Sequence, residues 1–180
     1  MKRWLYRIIT GLALAGAILV GNAWLTGGLG SAGEADTAAA AGNTALPPAW
    51  ESMTTGTVLI TPSGGEQAPP TRRLAVRIAD DSAERAQGMQ HLPARVVRDH
   101  PIWFVFPEPR RVGWHMQNVR APLDIAYVDA DGVVIGVERM TPGGSGYGIS
   151  AEIAAALEVA AGQAERLGIT PGTRLTLQRE

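Results

Sequence analysis

Asp124 raises the first chemical question in this chain. It is the one carboxylate within the run Pro122–Val128, PLDIAYV, with Asn118 and His115 just upstream. A charge in an apolar strand is costly unless it is paired or hydrogen-bonded. Two readings follow. As an architectural group, Asp124 accepts bonds from Arg85, Asn118 or backbone amides. As a functional group, it serves in a pocket for binding or as an acid or base. Glu84 and Arg85 invite the same comparison: helix capping with one ion pair, or a guanidinium fork facing a pocket and gripping an anion.

Other residue types extend the list of candidates. Trp103 and Trp114 with Tyr147 suit a groove for a sugar or an aromatic body, or plain core packing. His91, His100 and His115 are far apart, with no short ligand spacing, so no metal site and no cofactor are expected. The pairs Met89-x-His91 and His115-Met116 combine thioether and imidazole donors, a set that suits copper. No nucleophile elbow is present, and Gly143-Gly144-Ser145-Gly146 lacks the lysine and following helix of a phosphate loop.

The elements that position these residues can be read from the pattern. Leu123, Ile125 and Tyr127 share one strand face, and Val133, Ile135 and Val137 share a face on the next. Asp129-Ala130-Asp131-Gly132 is the turn between them. Ala126, Val128 and Val134 fill the other faces, which predicts a pair at the centre of a sheet. Thr57–Thr61 and Arg73–Ala79 read as strands, the second with Leu74, Val76 and Ile78 on one side and Arg73 and Arg77 on the other. Asp81 reads as an N-cap with Glu84 completing a capping box, followed by a helix of about two turns with Ala86 and Met89 toward the core. Ile102–Phe106 is a buried strand. Pro107, Pro109, Arg110 and Arg111 read as a loop, and Val112, Trp114 and Met116 alternate into another strand. Thr141–Ser150 is a glycine-rich loop of rim or flap type. Ala151–Ala161 satisfies helix propensity and strand patterning equally. Gln163–Leu167 makes one helical turn capped by Gly168, and Leu175 and Leu177 lie on a last strand.

Composition bounds the rest. Lys2, Arg3 and Arg7 precede an apolar run from Ile8 to Val20, so residues 1–32 read as a secretory signal, or as an N-terminal anchor if Trp24 and Leu25 extend the run. Residues 33–53 read as a flexible Gly/Ala/Pro-rich tether, which Trp50 and Met53 dock onto the domain, and 54–180 as one domain. There is no cysteine, hence no disulfide framework. After residue 32 the chain carries 13 positive and 17 negative side chains, a net −4 that argues against a nucleic-acid partner. The fold expected is mostly β: a compact sandwich or partly closed barrel with one or two short helices.

Four segments resemble the domain of unknown function 192 (DUF192) family: Glu84-Arg85 with Gly88-Met89; Met116-x-Asn118 leading to Pro122-Leu123-Asp124-Ile125; Asp131-Gly132-Val133-Val134; and Leu157-Glu158-Val159 with Gly162 and Gly168-Ile169. The resemblance spans about Thr55 to Leu177. It implies a jelly-roll type of β fold, commonly exported in bacteria, with Leu157-Glu158-Val159 as strand. The resulting expectation is a periplasmic or otherwise extracytoplasmic binding module, not an enzyme. It would take a small polar ligand or a cell-envelope partner, and would meet the membrane only through its N-terminal segment. Its pocket would have Arg85, Asn118 and Asp124 at the floor, with Glu84, Trp114, His115 and Tyr147 around them. The alternatives are an envelope-glycan hydrolase using Asp124 and a copper protein using the Met/His pairs.

Overall fold

The computed structural model describes residues 45–64 and 68–179. The segment read as signal or anchor, and most of the tether, lie outside these residues. No described helix is long and apolar enough to cross a membrane.

Nine strands and four short helices follow one another in the described chain. They are α1 (Pro48–Ser52), β1 (Thr54–Thr61), β2 (Arg72–Ala79), α2 (Ser82–Gln87), α3 (Ala94–Asp99), β3 (Ile102–Arg110), β4 (Trp114–His115), β5 (Leu123–Val128), β6 (Val134–Met140), β7 (Ser145–Tyr147), β8 (Ile153–Ala160), α4 (Gln163–Leu167) and β9 (Arg174–Arg179). Seven strands form one sheet in the order β6-β5-β8-β3-β2-β1-β9, and β4 pairs with β7 in a separate ribbon. Among the described strands, only β2 and β3 pair in parallel. A parallel pair needs a long crossover, and α2 and α3 supply it.

The sheet curls until its edges touch. Val133 bridges Arg174, Val134 N–H donates to the Thr173 carbonyl at 2.8 Å, and Leu175 N–H donates to that of Gly132 at 2.8 Å. The expected partly closed barrel is therefore the form found. Two apolar clusters divide along the alternation of the strands. The inner one draws residues from all seven strands, among them Ile60, Ile78, Trp103, Val128, Val134, Leu157 and Leu175. The outer one joins Phe104, Leu123, Ile125 and Tyr127 to Trp50, Met89, Leu92 and Val97 from the helical side.

Several local expectations hold. Asp81 caps α2 in a full capping box with Glu84, and Gly168 caps α4 in the left-handed region. Ile153–Ala160 is strand, as the family resemblance implies, because β3 and β5 pair with it on both sides and override alanine's helix preference. Other expectations are corrected. β5 is interior, but β6 is an edge, and Val137 on it is 37 % exposed. β3 continues through Pro107 and Pro109 to Arg110, where a register shift after Val105 frees the prolines from ladder bonding. A further short helix, α3, follows α2 and opens at Pro93, since proline suits a helix entry. Ala86 is exposed, and the buried member of α2 is Glu84. The loop from Thr141 to Ser150 contains β7.

The packed body begins before residue 54. Trp50 on α1 is fully buried, and the Arg77 guanidinium lies 4.7 Å from its ring centre. Arg77 also donates to the Trp50 and Met53 carbonyls at 3.0 and 3.3 Å. Ser52 donates to Glu84 Oε1 at 3.0 Å, which ties α1 to α2. Truncating a buried tryptophan removes about 3–5 kcal/mol of stability. Trp50→Ala is expected to lower the unfolding free energy obtained from urea titration by that order, moving the midpoint down with it. An unchanged midpoint would show that α1 does not belong to the cooperative unit.

Candidate functional site

Asp124 is an architectural group. It is 3 % exposed and shares the inner sheet face with Ala126 and Val128. Its Oδ1 accepts from Arg139 Nε at 2.5 Å. Its Oδ2 accepts from the N–H groups of Gly162 at 2.6 Å and Ala164 at 3.4 Å. The carboxylate therefore fastens the start of α4 to the barrel, with Arg139 on the neighbouring strand completing the set.

The floor expected from Arg85, Asn118 and Asp124 does not form. Arg85 donates to the Asp80 carbonyl at 2.5 Å and the Val105 carbonyl at 3.0 Å, and its guanidinium lies 5.9 Å from the Phe106 ring centre. Asn118 is exposed, with φ of 59°; its carbonyl accepts from His91 N–H at 2.9 Å and its Nδ2 donates to Gln90 at 3.4 Å. Glu84 is consumed by capping, accepting from the amides of Asp80 and Asp81. Tyr147 pairs with Trp114 across the β4–β7 ribbon, and its hydroxyl bonds to Thr141 at 3.1 Å.

Three of the expected residues do meet. Arg85, Trp114 and His115 line a cleft of about 230 Å³ between the C-terminal end of α2 and β4. Phe104 and Phe106 form its apolar wall, and the Trp114 ring stands nearly perpendicular to that of Phe104, 4.8 Å between centres and 81° between planes. Gly88 ends α2 at φ of 44°, a turn that favours glycine, and admits the chain close beside the Phe104 ring.

The decisive member was not among the expected site residues. Glu158 on β8 lines the same cleft and is 5 % exposed. Among the described residues its buried Oε2 has no hydrogen-bond partner, and neither has Trp114 Nε1. Burial alone pushes its carboxyl up from 4.5 to about 8, so it holds its proton at neutral pH. Nearby, Tyr127 is also raised, first by burial and then by its 2.8 Å hydrogen bond to Glu138 and the charges of Glu138 and Glu158. The signal that singled out Asp124, a lone acid in an apolar strand, is equally present in Ile153–Ala160, IAAALEVA.

Among the described residues, no group of three or more His, Asp or Glu gathers as a metal site. Met89 and Met116 are buried core residues, whereas His91 and His115 are exposed. A second, more open depression of about 350 Å³ is lined by Thr55, Arg77, Asp99 and His100 among others. Its charged groups are already engaged: Arg77 with backbone carbonyls and Asp99 with Arg95 at 3.7 Å.

The family model for DUF192, described as "Uncharacterized ACR", matches residues 65–177. The chain belongs to the DUF192 family. Two solved structures are similar. One is a Sinorhizobium meliloti 1021 protein described as a "putative transcription regulator", 30% identical, with a TM-score of 0.62 over 69% of this chain and 95% of that one. The other is a protein of unknown function from Novosphingobium aromaticivorans DSM 12444, 26% identical, with a TM-score of 0.55 over 67% of this chain and 83% of that one. No curated protein matches. Within this DUF192 chain, the Glu84, Asn118, Asp124 and Gly162 marks hold the framework. Arg85, Gly88, Met89 and Glu158 border the cleft.

Two outcomes separate framework from cleft. Asp124→Asn weakens charge-assisted bonds at a buried site, so a loss of about 1–3 kcal/mol is expected in chemical denaturation. A variant as stable as the parent would contradict the fastening role. For Glu158, the unfolded chain releases a proton above about 4.5 that the folded chain keeps until about 8. Stability should therefore fall as pH rises through that window and level off above it. Glu158→Gln lacks this loss. Its advantage over the parent should grow to several kcal/mol between pH 4.5 and 8, on the order of 1.4 kcal/mol per unit. A difference that stays flat with pH would remove the buried, proton-bearing assignment.

Proposed function

We propose that this DUF192 chain is a non-catalytic binding module that takes a small ligand with polar groups in the cleft between α2 and β4. One observation carries the reading. Two buried polar atoms, Glu158 Oε2 and Trp114 Nε1, lack partners, and both residues line the same cleft. An unsatisfied buried polar group costs about 1–3 kcal/mol, so a site holding two of them gains when a partner arrives. Aromatic walls with a few convergent polar groups are the ordinary make-up of a small-molecule site.

The hydrolase reading loses its residue, since both oxygens of Asp124 are engaged within the framework. The copper reading has its methionines in the core and its histidines on the surface. The description of the Sinorhizobium relative suggests nucleic acid, but 13 positive against 17 negative side chains after residue 32 favour a small ligand. Work outside the cytoplasm, with an envelope component as the source of the ligand, is part of the proposal. It rests on the basic and apolar N-terminal segment.

Gly113 supplies the test. It borders the cleft, and a Cβ built there meets nothing within 4 Å, so added bulk should plug the cleft without disturbing the fold. In a fragment screen by heteronuclear NMR, parent and Asp124→Asn proteins are expected to show shifts at Gln87–Gln90 and Gly113. Gly113→Leu should keep its dispersed spectrum and lose those responses. Fragments that shift amides elsewhere and leave these untouched defeat the proposal.

A further inference from the structure

The polar groups of the cleft share one character. Trp114 offers an indole N–H, which donates and never accepts. Arg85 brings a guanidinium, with its Nη1 turned to the Asp80 and Val105 carbonyls and its positive charge beside Phe106. Glu158, holding its proton at neutral pH, offers an O–H. The amides of Gln87 and Gln90 donate to the carbonyls of Gln90 and Ala86, and Gln90 Oε1 accepts from Asn118. Gln87 Oε1 and the His115 ring also border the cleft, but the two buried orphan groups can both donate, and Arg85 adds one positive charge beside them.

We infer that the cleft selects an organic carboxylate with a flat apolar body, its acid group between Glu158 and Trp114 and its body between Phe104 and Phe106. The inference rests on the binding role proposed above and adds the charge and shape of the ligand. A carboxylate oxygen satisfies the indole N–H and accepts the Glu158 proton in a charge-assisted bond, while Arg85 favours a negative guest. Aromatic rings provide matching faces for the body. The opposite choice, an organic ammonium facing an ionised Glu158 in an aromatic box, has two features against it. It leaves the indole N–H orphaned and brings a cation up to Arg85.

The groups that bear on Glu158 come from several elements. Arg85 on α2 and His115 on β4 line the same cleft. Tyr127 on β5 lies close, with its hydroxyl turned to Glu138 on β6. β3 contributes only apolar Phe104 and Phe106 to this wall. The guest and an ionised Glu158 would both be negative, so binding requires the protonated carboxyl. Affinity should hold at mildly acid and neutral pH, where the guest is ionised and Glu158 is not, and fall as pH rises through about 8.

The probe is benzoate, compared with the isosteric neutral benzamide and with phenyltrimethylammonium, by NMR titration of the full-length chain. Benzoate is expected to shift Gln87–Gln90 and Gly113 at pH 6.5, and to bind more tightly than either comparator. At pH 9 its Kd should rise about tenfold. Glu158→Gln keeps a donor that cannot ionise, so it should bind benzoate equally at both pH values. Trp114→Phe keeps the ring and loses the N–H, and should weaken benzoate several-fold. If benzamide or phenyltrimethylammonium binds as well as benzoate, the cleft remains a binding site and the carboxylate inference is overturned. It is overturned equally if Glu158→Gln loses benzoate, or retains the fall at pH 9. If none of the three probes, nor any fragment, shifts these amides, the binding role fails with it.

Discussion

Two acids on adjacent strands are separated into different tasks by one step of register. β5 and β8 pair so that Asp124 stands opposite Val159, and Ile125 opposite Glu158. Directly opposed residues share a sheet face, and neighbours along a strand do not. Asp124 is thus turned to the inner face, where α4 and Arg139 meet it. Glu158 is turned to the outer face, among Phe104, Trp114 and Met89. A slip of one residue between these strands would bring both acids to the same face, so that one of them would lose its surroundings. The division of roles depends on this ladder more than on any single contact at the cleft.

The two carboxyls also differ in what burial does to them. Asp124 is surrounded by donors supplied by its own chain, so its charge is balanced within the fold. Glu158 has no such company, and its proton substitutes for a partner. A glutamine or a methyl-bearing residue would sit there at lower cost to stability. The cleft lies on the outer side of the sheet, walled by short helical turns and a two-stranded ribbon. The barrel interior is filled by apolar side chains from all seven strands.

Much of this was legible in the residues themselves. Alternation placed the strands, the Asp81–Glu84 box and Gly168 marked helix ends, and a lone acid in an apolar run marked Asp124. Its partner was harder to see. A regular hairpin through Asp129–Gly132 would set Asp124 opposite Val137. Two irregularities, one at the turn and one between Tyr127 and Val128, advance the pairing until Arg139 faces it. Asn118 looked plausible because it stands just upstream, and Arg85 because it is a cation on a helix expected to pack against the sheet. Local backbone carbonyls and a left-handed turn claim them first. Glu158 went unselected because Ala151–Ala161 fits helix and strand equally by its residues, and the strand implied by the resemblance does not say which neighbours it pairs with. Until that pairing is known, no face can be given to it.

The seam of the barrel has a consequence for how the molecule comes into being. β9 is the last described strand to leave the ribosome, yet it both extends the sheet beside β1 and meets the Gly132–Val134 edge across the gap. Every earlier strand can pair while the ring is still open. The inner cluster is sealed on that side only when Leu175 arrives. A chain without residues 174–179 would leave that side of the barrel interior open to water, so closure of the ring waits on this one strand.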